Sequence, residues 1–476
     1  MIEEFEALFG QCSDAFKQSR TAKRGRELAY GLLNCMGRRT ITGMLTGCGQ
    51  QFQDWTAAYR LFDGDRMDIA RFFSVIRKEL AGKHLSEQMP IYAHMDDTNT
   101  RKRGRKVAGA SWQRDPLGPP FHTNFIWGQR FIQLSISLPE KYGPSQSRAI
   151  PVDFHHCPPV KKPKKSDAPA AWQDYRKKQK MAKLSQVGCD RLKLLRDNLN
   201  NEGARNRVLI TSVDGSYTNE TVVKQLPENV ILIGRVRKDC CLYTLPDTTQ
   251  KGVGRNRVYG DQLPTPEQIR QSDDYSWQEV EAWAAGKTHQ FDIKVIKNVR
   301  WRKAGARNLQ LVVIRPLGYR LTKNSRILYR EPAYLLCTDV NLAINQLLQA
   351  YLWRWEIEVN FRDEKTVLGC GQAQVRNEIS VEKIPAFVVA IYALLLLAAH
   401  KTNQNRENPT LPRAKWYPSV PQKRQTTGDI LNIFRSQVWA KNANINFSHF
   451  VNLHKLIKNR GNTINPTYSA AFYLRN

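Results

Sequence analysis

The chain has 476 residues, of which 41% are hydrophobic, enough for more than one domain with a buried core. That hydrophobic content excludes a disordered polycation. Lysine and arginine number 73 against 43 acidic residues, which gives a net charge of +30. A charge of this size favours a polyanionic partner, and nucleic acid is favoured over an anionic membrane surface.

Cysteine usage and the apolar segments bear on the cellular compartment. The nine cysteines form no CxxC pair, which favours a reducing cytoplasm over a disulfide framework. The apolar run 384–399 has 16 residues, fewer than the roughly 20 that a membrane-spanning helix needs. We therefore expect a buried core helix there, and a cytoplasmic protein with no membrane partner.

Residues 1–85 are predicted to form a helical domain. The segments RTAKRGRELAYGLLNCMG and QFQDWTAAYRLFDG combine helical apolar spacing with basic side chains, and each ends in glycine. On a protein of this charge, a small basic helical domain is a candidate for DNA binding. A solvated helical cap without such a role is the alternative.

Residues 86–238 are predicted to begin an α/β unit. The stretches IYAHMDDTNT, RKVAGASWQRD and TNFIWGQRFIQLSISLP have the composition of strands, with Gly, Pro and Asp between them. A basic helix, the strand RVLITSV, a further helix and the strand NVILIGRV follow. Residues 239–330 are β-rich and broken by Gly, Pro and Lys, which indicates an insertion. Residues 331–402 then return to the α/β unit with the strand PAYLLCTD.

The stretch YLWRWEIEVNFRDEK, residues 351–365, alternates apolar and polar residues as an exposed strand does. However, no Gly or Pro occurs from Val340 to Gly369, an interval too long for one strand, and NLAINQLLQAYL has helical spacing. We therefore predict the second half of a long helix. One face of it would carry Tyr351, Arg354, Glu358 and Lys365. A surface helix with an Arg354–Glu358 salt bridge is the alternative.

Three carboxylates are candidates for metal chemistry. Asp96 or Asp97 ends one predicted strand, Asp214 ends another, and Glu358 lies on the predicted helix. If they meet at one edge of the sheet, their hard oxygen atoms suit Mg²⁺. Two such ions about 3.5–4 Å apart can support displacement at a phosphodiester. On a strongly basic protein this combination points to cleavage or transfer of DNA strands.

These motifs resemble those of a known family. The spacing Y-x₂-R-x₃-E-x₆-K, met at positions 351, 354, 358 and 365, looks like the signature of the DDE transposases of bacterial insertion sequences, in the class named for its Tyr-Arg-Glu-Lys motif. MDDTN resembles the first-aspartate motif of that family, and SVDGSY resembles the second. The motif pattern favours Asp96 over Asp97 as the first aspartate, and both positions stay open.

The resemblance implies an α/β fold with an RNase H-like catalytic core, residues 86–238 and 331–402, interrupted by the β-rich insertion 239–330. It also implies an N-terminal helical DNA-binding domain and a mainly helical C-terminal region, 403–476, for which a role in dimerisation is our hypothesis. Asp96, Asp214 and Glu358 would be the catalytic ligands of two Mg²⁺ ions, with Mn²⁺ as a substitute. Tyr351, Arg354 and Lys365 would contact DNA phosphates. Tyr334 would stack on a base flipped out of a DNA hairpin, at a position where the best-known pattern has Trp.

By the same resemblance, the protein would be a cut-and-paste transposase of the bacterial cytoplasm, associated with the nucleoid. A homodimer would bind terminal inverted repeats, cleave the ends through hairpins and join them to target DNA. A nuclease of the same fold that cuts without joining is one alternative. A non-catalytic DNA-binding protein descended from a transposase is the other.

Overall fold

The computed structural model describes residues 1–115, 118, 122, 124–141, 143, 145–247, 257–320, 324–405 and 424–442. The α-helices are α1 (Ile2–Gln11), α2 (Ser19–Asn34), α3 (Ile41–Gly47), α4 (Thr56–Phe62), α5 (Ile69–Glu79), α6 (Pro169–Met181), α7 (Leu184–Leu199), α8 (Glu220–Lys224), α9 (Pro266–Gln271), α10 (Ile344–Trp353), α11 (Trp355–Thr366), α12 (Glu378–Asn405) and α13 (Thr427–Asn442). The strands are β1 (Ile91–Arg101), β2 (Ser111–Arg114), β3 (Phe125–Pro139), β4 (Ser147–His156), β5 (Leu209–Val213), β6 (Val230–Arg235), β7 (Gln278–Ala284), β8 (Lys287–Val299), β9 (Leu309–Ile314), β10 (Gly318–Tyr319), β11 (Leu328–Tyr329) and β12 (Ala333–Cys337).

A ten-stranded mixed sheet forms the centre of the protein. Its order is β2-β3-β1-β5-β6-β12-β9-β8-β7, and β4 pairs with the other part of β3. The pairs β1·β5 and β5·β6 are parallel, and every residue of β5 is buried. Parallel strands covered on both faces read as continuous apolar runs, as LITSV nearly does. The large mixed sheet confirms the predicted α/β class and is consistent with an RNase H-like core.

The β-rich insertion shares the sheet of the core. Strand β12 pairs antiparallel with β6 on one edge and with β9 on the other, and Leu335 is aligned with Arg235 and Val312. Strands β8 and β7 continue outward from β9. Among the strands that the structure describes, only the small hairpin β10·β11 stands apart from this sheet. The predicted boundaries near 239 and 330 therefore mark a change in sequence character within one hydrogen-bonded sheet.

Helix α12 is the central helix of the core. By length and composition the segment Glu378–Gln404 could cross a membrane, but 89% of its most apolar window is buried inside the protein. The N-terminal helices pack on it, since the rings of Phe62 and Phe72 lie 5.4 and 6.0 Å from that of Phe387. Burial by the protein's own helices agrees with the prediction of a core helix.

Two sequence predictions of local structure need correction. Strand β4 was not predicted, because "SRAIPVDFHH" contains a proline and shows no alternation, yet nearly all its residues are buried. The long helix predicted through 351–365 is two helices, α10 and α11, which meet at Arg354. The stretch is helical as predicted. The interruption falls at the residue whose guanidinium contacts two carboxylates.

Candidate active site

Two of the carboxylates are placed by neighbouring parallel strands. Met95 of β1 is aligned with Val213 of β5, so the next residues, Asp96 and Asp214, lie side by side in the middle of the sheet. Strand β5 ends there, and Asp214 Oδ1 accepts hydrogen bonds from the backbone N–H groups of Ser216 and Tyr217, at 2.9 and 3.3 Å. This turn fixes the side chain of Asp214.

Helix α11 brings the third carboxylate to the same place. Glu358 lies in its first turn, and Arg354 occupies the junction with α10. Arg354 Nη1 lies 3.1 Å from Asp96 Oδ2, and Nη2 lies 3.4 Å from Glu358 Oε1. One guanidinium therefore joins the strand carboxylate to the helix carboxylate. The Arg354–Glu358 pair expected for a plain surface helix is present, but it also reaches into the site.

Asp97 has different neighbours from Asp96. The hydroxyl of Tyr217 donates to Asp97 Oδ1 at 3.0 Å, and Arg130 Nε lies 3.5 Å from Asp97 Oδ2. Asp97 thus has its own donor and its own cation. Asp96 contacts Arg354, which is shared with Glu358. These contacts favour Asp96 as the first metal ligand, and the choice between the two stays a prediction.

All four carboxylates line one cleft of about 1780 Å³. Lys365 lines it too, and burial lowers the pKa of its amine. Tyr351 does not line this cleft, and its ring lies 5.9 Å from the Arg354 guanidinium. The cleft is otherwise rich in cations, namely Arg38, Arg101, Lys102, Arg103, Arg130 and Arg376. A cationic cleft with carboxylates in its wall suits a phosphodiester backbone.

Comparison with known proteins identifies the family. The sequence model of the DDE superfamily endonucleases matches residues 11–308, more than half of the chain. The chain belongs to this family. The match includes Asp96 and Asp214 and ends before Glu358, so the third carboxylate is placed in the site by the fold. No curated protein matches the chain.

DDE endonucleases generally use divalent metals, and the donors in this cleft fit such ions. Burial raises the pKa of the Asp96 carboxyl to about 7, and the negative charge of Asp214 adds to that rise. Crowded carboxylates of this kind need a nearby cation. Across the ranges that the structure describes, no three Asp, Glu, His or Cys side chains close around a single ion position. Arg354 holds Asp96 and Glu358 instead, so it supplies the positive charge in this arrangement.

Tyr334 lies away from these carboxylates. It is on β12 and only 4% exposed, and its hydroxyl donates to Glu267. Burial, together with that hydrogen bond, raises the pKa of its hydroxyl to about 12. It borders a second, basic cavity that also contains Arg270 and Gly215. Base stacking by Tyr334 stays a prediction and requires the ring to leave its contact with Glu267.

Sequence reasoning missed several residues of this DDE endonuclease. Arg130 and Tyr217, the partners of Asp97, come from strand β3 and from the turn after β5. The cations Arg101, Lys102 and Arg103 of the cleft wall and the indole of Trp127 were missed as well. The run RKRGRK directly after the first-aspartate strand was the available signal, since clustered cations are typical of phosphate contacts.

Proposed function

We propose that this DDE endonuclease is a cut-and-paste transposase of the Tyr-Arg-Glu-Lys class. One observation carries the proposal: Asp96, Asp214 and Glu358 come from three separate elements and line one cationic cleft. The family makes DNA the substrate. The spacing of Tyr351, Arg354, Glu358 and Lys365 supports the subclass.

In this proposal Asp96, Asp214 and Glu358 hold Mg²⁺, with Mn²⁺ as a substitute. When bound, such ions lower the pKa of the attacking water or hydroxyl and stabilise the leaving oxygen. Lys365 holds a phosphate of the DNA inside the cleft. Arg354 exchanges its contacts with the carboxylates for a contact with a DNA phosphate. Its planar guanidinium group can bind a phosphate through two hydrogen bonds. Tyr351, for which the resemblance implies a contact with a DNA phosphate, lies outside the lining of the cleft and positions the Arg354 guanidinium instead.

The substrates proposed are terminal inverted repeats and target DNA, handled by a homodimer in the synaptic complex. Hairpin formation at the end would follow first-strand nicking, with Tyr334 stacking on the extruded base. The dimer surface proposed for 403–476 falls largely outside the described residues. A bacterial cytoplasmic location, in association with the nucleoid, completes the proposal.

The family description favours one second candidate, an endonuclease that cuts DNA without joining it. The decisive substrate is DNA that carries the inverted repeats expected to flank this gene. Purified protein with Mg²⁺ should nick it, form hairpins and join the ends to a plasmid. Cuts without joined products would identify a nuclease. Specific binding without cuts would leave only a DNA-binding protein.

Substitutions test the carboxylates in the same assay. Glu358→Gln should abolish cleavage, because a neutral amide cannot balance divalent cations, and end binding should persist. Asp96→Asn should abolish cleavage as well. Asp97→Asn is the matched control and should retain measurable cleavage, since Asp97 is held by Tyr217 and Arg130. Normal cleavage by Glu358→Gln would show that the metal ligands are assigned wrongly.

A further inference from the structure

A cluster of two tryptophans and one arginine adjoins the cleft. After β1 the chain passes through the cationic run Arg101–Lys106 and returns as β2, where Trp112 is aligned with Trp127 of β3. The two indole rings are 5.7 Å apart and nearly perpendicular. The Arg105 guanidinium lies 4.8 Å from the Trp112 ring and 5.3 Å from the Trp127 ring. We call these three residues the tryptophan cluster.

The cluster is fixed in place but remains open to solvent. Trp127 Nε1 donates to the backbone carbonyl of Gly104 at 3.0 Å, which ties the cationic run to β3. Trp112 is nevertheless 56% exposed, on a strand at the edge of the sheet. Edge strands of soluble proteins are usually protected by charge and seldom present a large aromatic ring. An exposed indole that packs against a second indole is suited to contact a ligand.

One member of the cluster, Trp127, lines the same cleft as the carboxylates, and Trp112 is its neighbour outside the lining. Trp127 and Gly104 line it together with Asp96 and Glu358. The adjoining cations are available for phosphates, because in the part of the chain that the structure describes, Arg103, Arg105 and Lys106 form no salt bridge. The cluster therefore combines an aromatic face with free positive charge beside the reacting groups.

We propose that the tryptophan cluster binds an unpaired DNA base next to the strand that is cut. This inference rests on the proposed function only in taking DNA as the occupant of the cleft. A paired base inside a duplex presents no free ring face. An unpaired base can stack on an aromatic side chain, whatever the DNA sequence around it. The Trp112 indole provides the stacking surface, and Arg103 and Lys106 hold the flanking phosphates. Arg105 braces the indole from the other side.

The test compares two DNAs with the full chain in the absence of divalent cations, so that no cleavage occurs. One is a blunt duplex, and the other is the same duplex with a single-stranded 3′ extension that contains 2-aminopurine. Trp112→Ala should weaken binding of the extended DNA by about 5- to 150-fold, the equivalent of stacking one base. Its affinity for the blunt duplex should change by less than about twofold, because phosphate contacts supply that binding.

Three controls make the result specific. Trp112→Phe keeps a ring and should retain most of the affinity, whereas Trp112→Leu keeps apolar area without a ring and should behave as Trp112→Ala. Tyr329→Ala removes another aromatic, 69% exposed on the hairpin β10·β11, and should change neither affinity. Fluorescence of the 2-aminopurine should be quenched by the wild-type chain and not by Trp112→Ala.

Three other results of these binding measurements would contradict the stacking site or the proposed function. Equal loss of affinity for both DNAs in Trp112→Ala, or quenching that persists in that variant, would overturn the stacking site. If the wild-type chain binds both DNAs tightly and Trp112→Ala changes neither affinity, the stacking site is overturned and the proposed function is left intact. Failure of the wild-type chain to bind either DNA would overturn the proposed function itself.

Discussion

Replacing Arg354 by glutamine should strengthen the binding of divalent cations to the DNA-free protein. The guanidinium lies 3.1 Å from Asp96 Oδ2 and 3.4 Å from Glu358 Oε1, so a metal ion must compete with it for both carboxylates. Glutamine fills a similar position and carries no charge. The variant should therefore leave the carboxylates free to bind the ion.

The size of the effect follows from these two distances. At an effective dielectric constant of about 20, each contact is worth about 5 kcal/mol of gross attraction. The guanidinium regains hydration when it leaves the site, and that gain offsets most of the attraction. A net difference of about 1–2 kcal/mol remains, which corresponds to about 5- to 30-fold higher affinity for Mg²⁺.

The assay is a Mg²⁺ titration by calorimetry, supported by the rise of melting temperature with Mg²⁺ concentration. Arg130→Gln is the matched control, because it removes one positive charge from the same cleft but contacts Asp97. Arg354→Gln should bind Mg²⁺ more tightly than the control, and the control should remain near the wild type. Unchanged or weaker affinity in Arg354→Gln, or an equal gain in both variants, would refute the competition.

Two further predictions concern buried titratable groups of the chain. Burial raises the pKa of Glu364 to about 8 in the folded chain, whereas its ordinary value is 4.5. Between these two pH values the carboxyl is protonated in the folded chain and ionised in the unfolded chain. The contribution of Glu364 to stability is therefore complete below pH 4.5 and is lost as the pH rises through 8. Glu364→Gln should therefore gain stability relative to the wild type as the pH rises, by about 2–4 kcal/mol at pH 9 in urea unfolding, and a difference that does not depend on pH would show that Glu364 is ionised in the fold. Tyr334→Phe loses the hydrogen bond to Glu267 and should be about 1 kcal/mol less stable with normal hairpin yield, whereas Tyr334→Ala should slow hairpin formation after normal nicking. Normal hairpin yield in Tyr334→Ala, followed as nicked and hairpin ends over time, would remove Tyr334 from the mechanism.

Two of the three carboxylates follow a local signal in the sequence. Asp214 directly follows the buried apolar strand β5, and Glu358 shares helix α11 with Lys365. Asp96 lies within β1, which continues to Arg101, so the predicted end of a strand at this aspartate is wrong. The relative position of Asp96 and Asp214 depends on β1 and β5 being parallel neighbours. That pairing joins residues more than 100 positions apart, and periodicity along the chain carries no information about it.

The remaining features of the site depend on contacts between distant segments. The break at Arg354 contains neither glycine nor proline, so its sequence gives no helix-stop signal. Asp96 and Asp97 are neighbours of identical type, and they differ only in the partners that β3, the Tyr217 turn and Arg354 provide. Trp112 and Trp127 come together through the register of a hairpin, and the Pro- and Gly-containing connection 115–124 is too long to fix that register as a two-residue turn would.

Strand β12 has a mechanical consequence for this enzyme. Because both of its edges are hydrogen-bonded, to β6 and to β9, the insertion cannot hinge on a flexible tether. A force that bound DNA exerts on β7 and β8 is transmitted by backbone hydrogen bonds through β9 and β12 to β6. From β6 it reaches β5 and the turn that holds Asp214. The insertion and the turn that holds Asp214 thus belong to one hydrogen-bonded sheet, and we expect DNA bound at β7 or β8 to shift the position of Asp214 without touching it.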